Sequence, residues 1–157
     1  MAMLAIVLAV SAPSLARFFR GRTLDSEARR FLSLTHYGQS RAISEGVPMS
    51  LWIDAPQGTY GLQVETGFTT SDRKAVEYPL AKDLRIEVTA GLAPAGQAGP
   101  GVVNRVAIRF LPDGFIAESS PERVVFHEGE RAVISIGQSR SRLNYEIQTN
   151  NLANAGR

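Results

Sequence analysis

Cysteine is absent from this chain of 157 residues, and histidine occurs only twice, at His36 and His127. The first absence excludes a disulfide framework and a thiolate metal site. The second leaves no His/Cys/Asp/Glu spacing of the kind that holds zinc, so no metal ligands and no cofactor are expected. Phosphate-cradling loops are missing as well. The glycines of "GLAPAGQAGPG" (residues 91–101) are not followed by Lys-Ser or Lys-Thr, so this is a flexible loop by composition and not a P-loop. No G-x-S-x-G elbow is present to support a nucleophilic serine. Charge of one sign is scarce too: 17 Lys and Arg stand against 15 Asp and Glu, a net +2. That balance does not point to a nucleic-acid binder. These gaps weigh against an enzyme, and no catalytic residue is assigned.

Charge is also missing from the beginning of the chain. "MAMLAIVLAVSAPSLARFFRGR" places ten apolar or small residues first, then Pro13, then Arg17, Arg20 and Arg22. A secretory signal peptide would carry its basic residues ahead of the apolar run, not after it. A buried core helix must be enclosed all round, because residues 1–10 have no polar face, and a domain of this size has little interior to enclose it. As a helix, residues 1–19 cover about 28 Å, just short of a hydrocarbon core of about 30 Å, with arginines at one end to reach the interface. On this third reading Met3, Leu4, Ile6, Val7, Leu8, Val10, Pro13, Leu15, Phe18 and Phe19 form the membrane or assembly face. Pro13 bends that helix without ending it.

The helical pattern continues beyond the arginines. Leu24, Ala28, Phe31, Leu32, Thr35 and Ala42 recur at spacings of three, four and seven, one stripe of an amphipathic helix. Asp25, Glu27, Arg29, Arg30, Gln39 and Arg41 are assigned to its polar side. Gly46 followed by Pro48 marks the stop near Glu45, for a helix of about 68 Å. Leu24, Ala28, Phe31, Leu32 and Thr35 are the residues expected to pack the helix on a sheet.

After Pro48 the period changes to two. Residues 49–54 and 59–65 read as a hairpin across Ala-Pro-Gln-Gly. Alternation over 84–89 and 105–110 adds strands, and short strands are expected at 115–118, 123–127, 132–136 and 143–147, separated by Pro112-Asp113-Gly114 and Glu128-Gly129-Glu130. Residues 66–82 are polar and ambiguous. Trp52 is expected in core or domain-edge packing. The two histidines read as ordinary surface or half-buried side chains. Arg140, Arg142 and Arg157 are the only candidates for phosphate contact, and the small local charge favours a solvated strand end. The fold expected is α+β: a long N-terminal helix, hydrophobic in its first half, packed on an antiparallel β-sheet domain of about seven to eight short strands. Residues 1–21 form the membrane half of the helix and 22–157 the globular domain.

The apolar start, the helix running through "EARRFLSLTHYGQSRAISEGVPMSLWID" and the strand-turn unit "VAIRFLPDGF" resemble the GspH/FimT group of type IV pilin-like proteins. The helix-to-strand junction at residues 40–53 and "IRFLPDG" at 108–114 carry most of the likeness. The residues are most similar to the H-type minor pseudopilin of type II secretion. The resemblance implies a structural subunit of a pseudopilus, with no cofactor, anchored by one helix in the inner membrane of a Gram-negative bacterium. Its β domain would lie in the periplasm. The implied partners are other major and minor pseudopilins, in a helix bundle and at the tip, the inner membrane, and exported substrate proteins. A cytoplasmic secretion ATPase would drive assembly. The alternative within the same fold is a FimT-like minor pilin of a type IV pilus, acting in pilus biogenesis or DNA uptake. The mostly neutral tail "NYEIQTNNLANAGR" speaks for secretion over nucleic acid. The group's Gly-Phe-Thr-Leu-x-Glu processing signature does not occur in this sequence, and Pro13 resembles the proline of the group's helix. The expectation is therefore that the helix begins ahead of Met1, with the upstream DNA encoding in frame a basic leader, that signature and a few apolar residues.

Overall fold

The computed structural model describes the backbone of residues 2–69, 71–89, 105–130 and 132–148, with side chains described from residue 22 onward. The side chains of Met3 to Phe19, the loop at 91–101 and Arg157 lie outside that set.

Helix α1 runs from Ala2 to Glu45, 44 residues and about 66 Å. It ends as the sequence pattern requires. Gly46 takes φ +67°, and its N–H donates to the Ala42 carbonyl at 3.0 Å, closing a left-handed cap that a side chain would strain. Pro48 then leads into the first strand.

Eight strands follow: β1 (Met49–Asp54), β2 (Thr59–Val64), β3 (Val76–Pro79), β4 (Leu84–Thr89), β5 (Val106–Phe110), β6 (Arg123–Glu128), β7 (Ala132–Gln138) and β8 (Tyr145–Gln148). They form two four-stranded sheets with orders β3-β2-β1-β5 and β4-β6-β7-β8, and every pairing is antiparallel. The chain leaves the first sheet after β3, contributes β4 to the second, and returns for β5. The inward residues of both sheets and the helix stripe share one core, which includes Met49, Leu51, Ile53, Leu62, Ile108, Phe110, Val124, Phe126 and Ile136.

Three expectations are corrected. Residues 66–82, which showed no clear pattern, contain β3. It is an edge strand of four residues ending in Pro79, a residue tolerated only where no ladder partner waits for its N–H. The strand expected at 115–118 is a single bridge, Phe110 to Ile116. The chain does double back beside β5, with Ala117 N–H on the Arg109 carbonyl at 2.9 Å. The Ser120 hydroxyl then accepts the Arg109 N–H at 3.0 Å, so the ladder cannot extend. The last strand begins at Tyr145 and not at 143, because residues 139–144 close a turn in which the Ser139 N–H meets the Asn144 carbonyl at 2.8 Å.

Candidate assembly interface

The second half of α1 joins the helix to both sheets, and its packed face follows a seven-residue repeat. Leu24, Phe31 and Gly38 form one column, Ala28, Thr35 and Ala42 a second, and Glu27, Leu34 and Arg41 a third. All nine positions are buried. Three positions in seven make a broad packing face. Leu32, on the edge of this face, is half-buried against the core.

Phe31 sits where the three layers converge. Its ring meets Tyr60 of the first sheet edge-on at 5.2 Å and Phe126 of the second at 5.3 Å, both inclined at 67°. These are the offset arrangements that aromatic quadrupoles favour. At Gly38 the backbone comes close enough to the sheet that a Cβ would lie 2.9 Å from both Leu62 Cδ1 and Phe110 Cε2.

The third column corrects the assignment of Glu27 and Arg41 to the polar side of the helix. Both lie on the packed face, where charge survives because it is paired. The Glu27 carboxylate accepts from the Tyr60 hydroxyl at 2.6 Å and from the Arg30 guanidinium at 2.5 Å. Arg30 also covers the Tyr78 ring of β3 at 4.9 Å. Burial, aided by the bond to Glu27, pushes the Tyr60 hydroxyl far above its usual range, so it stays a neutral donor. Two turns along, Arg41 donates to Asp72 at 3.0 Å and to Glu45 at 3.1 Å, and Lys74 reaches the same Glu45 at 2.7 Å. Asp72 in turn accepts the backbone N–H groups of Val64 and Lys74, at 2.8 and 2.9 Å. The β2–β3 loop is thereby tied to the end of the helix. Burial opposes the Arg41 charge, and its hydrogen bonds to Glu45 and Asp72 more than offset this and raise its pKa. Glu45 is held down to about 2 by hydrogen bonds from Arg41 and Lys74.

On the half-buried side of the helix the Gln39 amide donates to the carbonyls of Gly114 and Leu143, each at 2.6 Å. One side chain thus pins the turn after β5 and the turn before β8. Trp52 lies on the sheet face opposite Leu51 and Ile53. It packs over Gly61, and the Arg105 guanidinium stands above its ring at 4.5 Å. His36 is exposed on the helix, and His127 approaches Glu87 at 3.2 Å. Among the described residues no group of three His, Cys, Asp or Glu side chains is placed to hold a metal ion. Arg140 and Arg142 are exposed in the turn before β8. Among the described residues, no helix is long and apolar enough to cross a membrane.

The chain that builds this long helix into two antiparallel sheets matches a known family model, Type II transport protein GspH, over residues 27–146. The chain belongs to the GspH family. The matched segment runs from the buried Glu27 into β8, so it contains eight of the nine buried positions of the helix face, all but Leu24, and nearly all of the β domain. Two solved structures of the minor pseudopilin EpsH from the type II secretion system of Vibrio cholerae share the fold at a TM-score of 0.58 and 12% identity. The first comparison covers 82% of this chain and 98% of that one, and the second 82% and 94%. No curated protein sequence matches the chain. GspH-family membership makes this a structural pseudopilin of type II secretion, a component of the Gram-negative cell envelope that assembles with other pseudopilins.

Proposed function

We propose that this GspH-family chain, a minor pseudopilin of type II secretion, works as a helix-anchored subunit in which 1–21 is the membrane and assembly segment and 22–157 the periplasmic domain. The apolar run first rests in the inner membrane and is then drawn into a bundle of like helices, where Met3, Leu4, Ile6, Val7, Leu8, Val10, Pro13, Leu15, Phe18 and Phe19 meet neighbouring subunits. The β domain contacts other minor pseudopilins near the tip and, through them, exported proteins. Its work is mechanical and not catalytic. The observation that supports this most is the continuity of α1 from the apolar run to the Phe31 junction. A displacement of the first half therefore moves both sheets.

Two arginines in the apolar run test the reading. At the centre of a membrane helix each costs about 2.5–3.5 kcal/mol on insertion scales. Ile6→Arg combined with Leu8→Arg is expected to release the full chain from the membrane fraction and abolish secretion, with protease resistance of the β domain unchanged. Retention in alkali-washed membranes with secretion intact would contradict it.

A further inference from the structure

A cavity of about 420 Å³ opens at one end of the second sheet, away from the helix face, lined by Thr89, Glu122, Arg123, Gln138, Arg142 and Gln148 together with Ser139. The register explains the gathering. Thr89 ends β4 opposite Arg123, which begins β6, and Arg123 faces Gly137 near the end of β7. Gly137 seats Gln148 at this wall. A Cβ there would collide with the Gln148 amide, which lies across the position where a side chain would stand.

The cavity wall is fixed by contacts of its own. Gln138 spends its amide N–H groups on the Pro121 carbonyl and the Tyr145 hydroxyl, both at 3.2 Å, and the Tyr145 hydroxyl donates to Pro121 at 2.5 Å. Arg142 is the one described non-glycine residue with positive φ, +56°. Its N–H is held by the Ser139 carbonyl at 2.9 Å, and its Nε lies 3.5 Å from the side-chain amide oxygen of Gln138, Oε1. A side chain kept in the left-handed region, where its Cβ is strained, is held there by the surrounding turn. The Arg123 guanidinium makes no hydrogen bond or ion pair to any described side chain.

Two guanidiniums, one well placed and one unengaged, thus face a cavity with a single carboxylate, Glu122, and with amide and hydroxyl groups at Gln148 and Thr89. We propose that this cavity binds the carboxylate of an acidic peptide segment from a protein partner. The charge balance selects the class. Paired guanidiniums fit a planar carboxylate in bidentate geometry. With Glu122 at the rim the excess is one positive charge, which a single carboxylate balances and a dianionic phosphate leaves overcompensated. A nucleic-acid strand would need a basic stripe, and here two arginines stand with Glu122. The volume lies within the range of about 300–1,000 Å³ of small-ligand sites, enough for one side chain and its neighbours. The inference goes beyond the helix-anchored role and does not rest on it.

The test titrates the full chain in non-ionic detergent, following the Arg Nε–Hε resonances by NMR. The probes are acetyl-Gly-Glu-Gly-amide, acetyl-Gly-Gln-Gly-amide, acetyl-Gly-Gln-Gly with a free C-terminal carboxyl, and inorganic phosphate. Saturable shifts of the Arg123 and Arg142 signals are expected with either carboxylate-bearing peptide and not with the amide control. The stronger of the two then identifies the source as a side chain or a chain terminus. Arg123→Gln and Arg142→Gln are each expected to weaken binding by about tenfold or more, the size of one charge-assisted hydrogen bond. Gly137→Ala, by displacing Gln148, is expected to weaken it as well. Unchanged affinity in Arg123→Gln, equal binding of the amide control, or tighter binding of phosphate than of both peptides would overturn the proposal. Because Arg123 is exposed, its variant keeps the wild-type melting temperature, so lost binding is not lost folding.

Discussion

Among the described residues Phe31 alone has a ring contact in each sheet, which makes it the junction of helix and sheets. Phe31→Ala removes both contacts from a fully buried position and leaves a cavity between three layers. A loss of about 3–5 kcal/mol is expected in chemical denaturation. A loss below about 0.5 kcal/mol, the level of neutral surface changes, would mean that the ring is not the junction. Glu45 makes a different demand, on pH. Its carboxyl is lowered from the ordinary 4.5 to about 2 by Arg41 and Lys74. For an acid whose folded pKa is depressed, the stabilisation is complete above the unfolded value and is lost as pH falls through the folded one. The contribution of Glu45 is therefore present above about pH 4.5 and disappears toward about pH 2. Glu45→Gln is expected to flatten the fall of melting temperature across that window and to lower the melting temperature at pH 7. An unchanged acid slope would show that the latch on the β2–β3 loop does not carry it.

The helix obeys local rules at its end and tertiary rules along its face. Gly38 shows the difference. In an exposed helix, alanine in place of glycine is worth about 0.5–1 kcal/mol. Here a Cβ would press on Leu62 and the Phe110 ring at 2.9 Å, inside a closed core. Overpacking of that kind costs about 1–3 kcal/mol. Gly38→Ala is therefore expected to lower the melting temperature despite its higher helix propensity, and a rise would contradict the close approach. The same contrast explains what could be read from the chain. Period and stop signals placed α1 to within a residue of its end, and alternation placed β1, β2, β4, β5, β6 and β7. The local pattern assigns Glu27 and Arg41 to the solvent side because charge is the strongest local cue. The groups that make their burial possible, Tyr60 and Asp72, lie 33 and 31 residues away. A seven-residue column through Leu34 was the one signal within reach. β3 escaped because four residues with a glutamate and a proline carry no period, and 115–118 misled because alternation does not reveal that Ser120 ends the ladder.

At the scale of the molecule, one helix carries two unlike halves. Its second half belongs to the core of the β domain, closed by Phe31, by the Glu27–Tyr60–Arg30 group and by the Arg41–Asp72–Glu45–Lys74 latch. All of these lie at or after residue 24, as does the segment matched by the GspH family model. The two-sheet arrangement was not written in strand alternation, since β4 and β5 are neighbours in sequence and belong to different sheets. The proposed role assigns the apolar first half to the membrane and the bundle. A chain beginning at Arg22, compared with the full chain by membrane fractionation and circular dichroism, tests that division most directly. The account predicts a soluble, monomeric, β-rich protein with a cooperative melt that no longer sediments with membranes, while the full chain does. An aggregated or unfolded shorter chain, beside a full chain that is soluble without detergent, would contradict it and place residues 1–19 in the core.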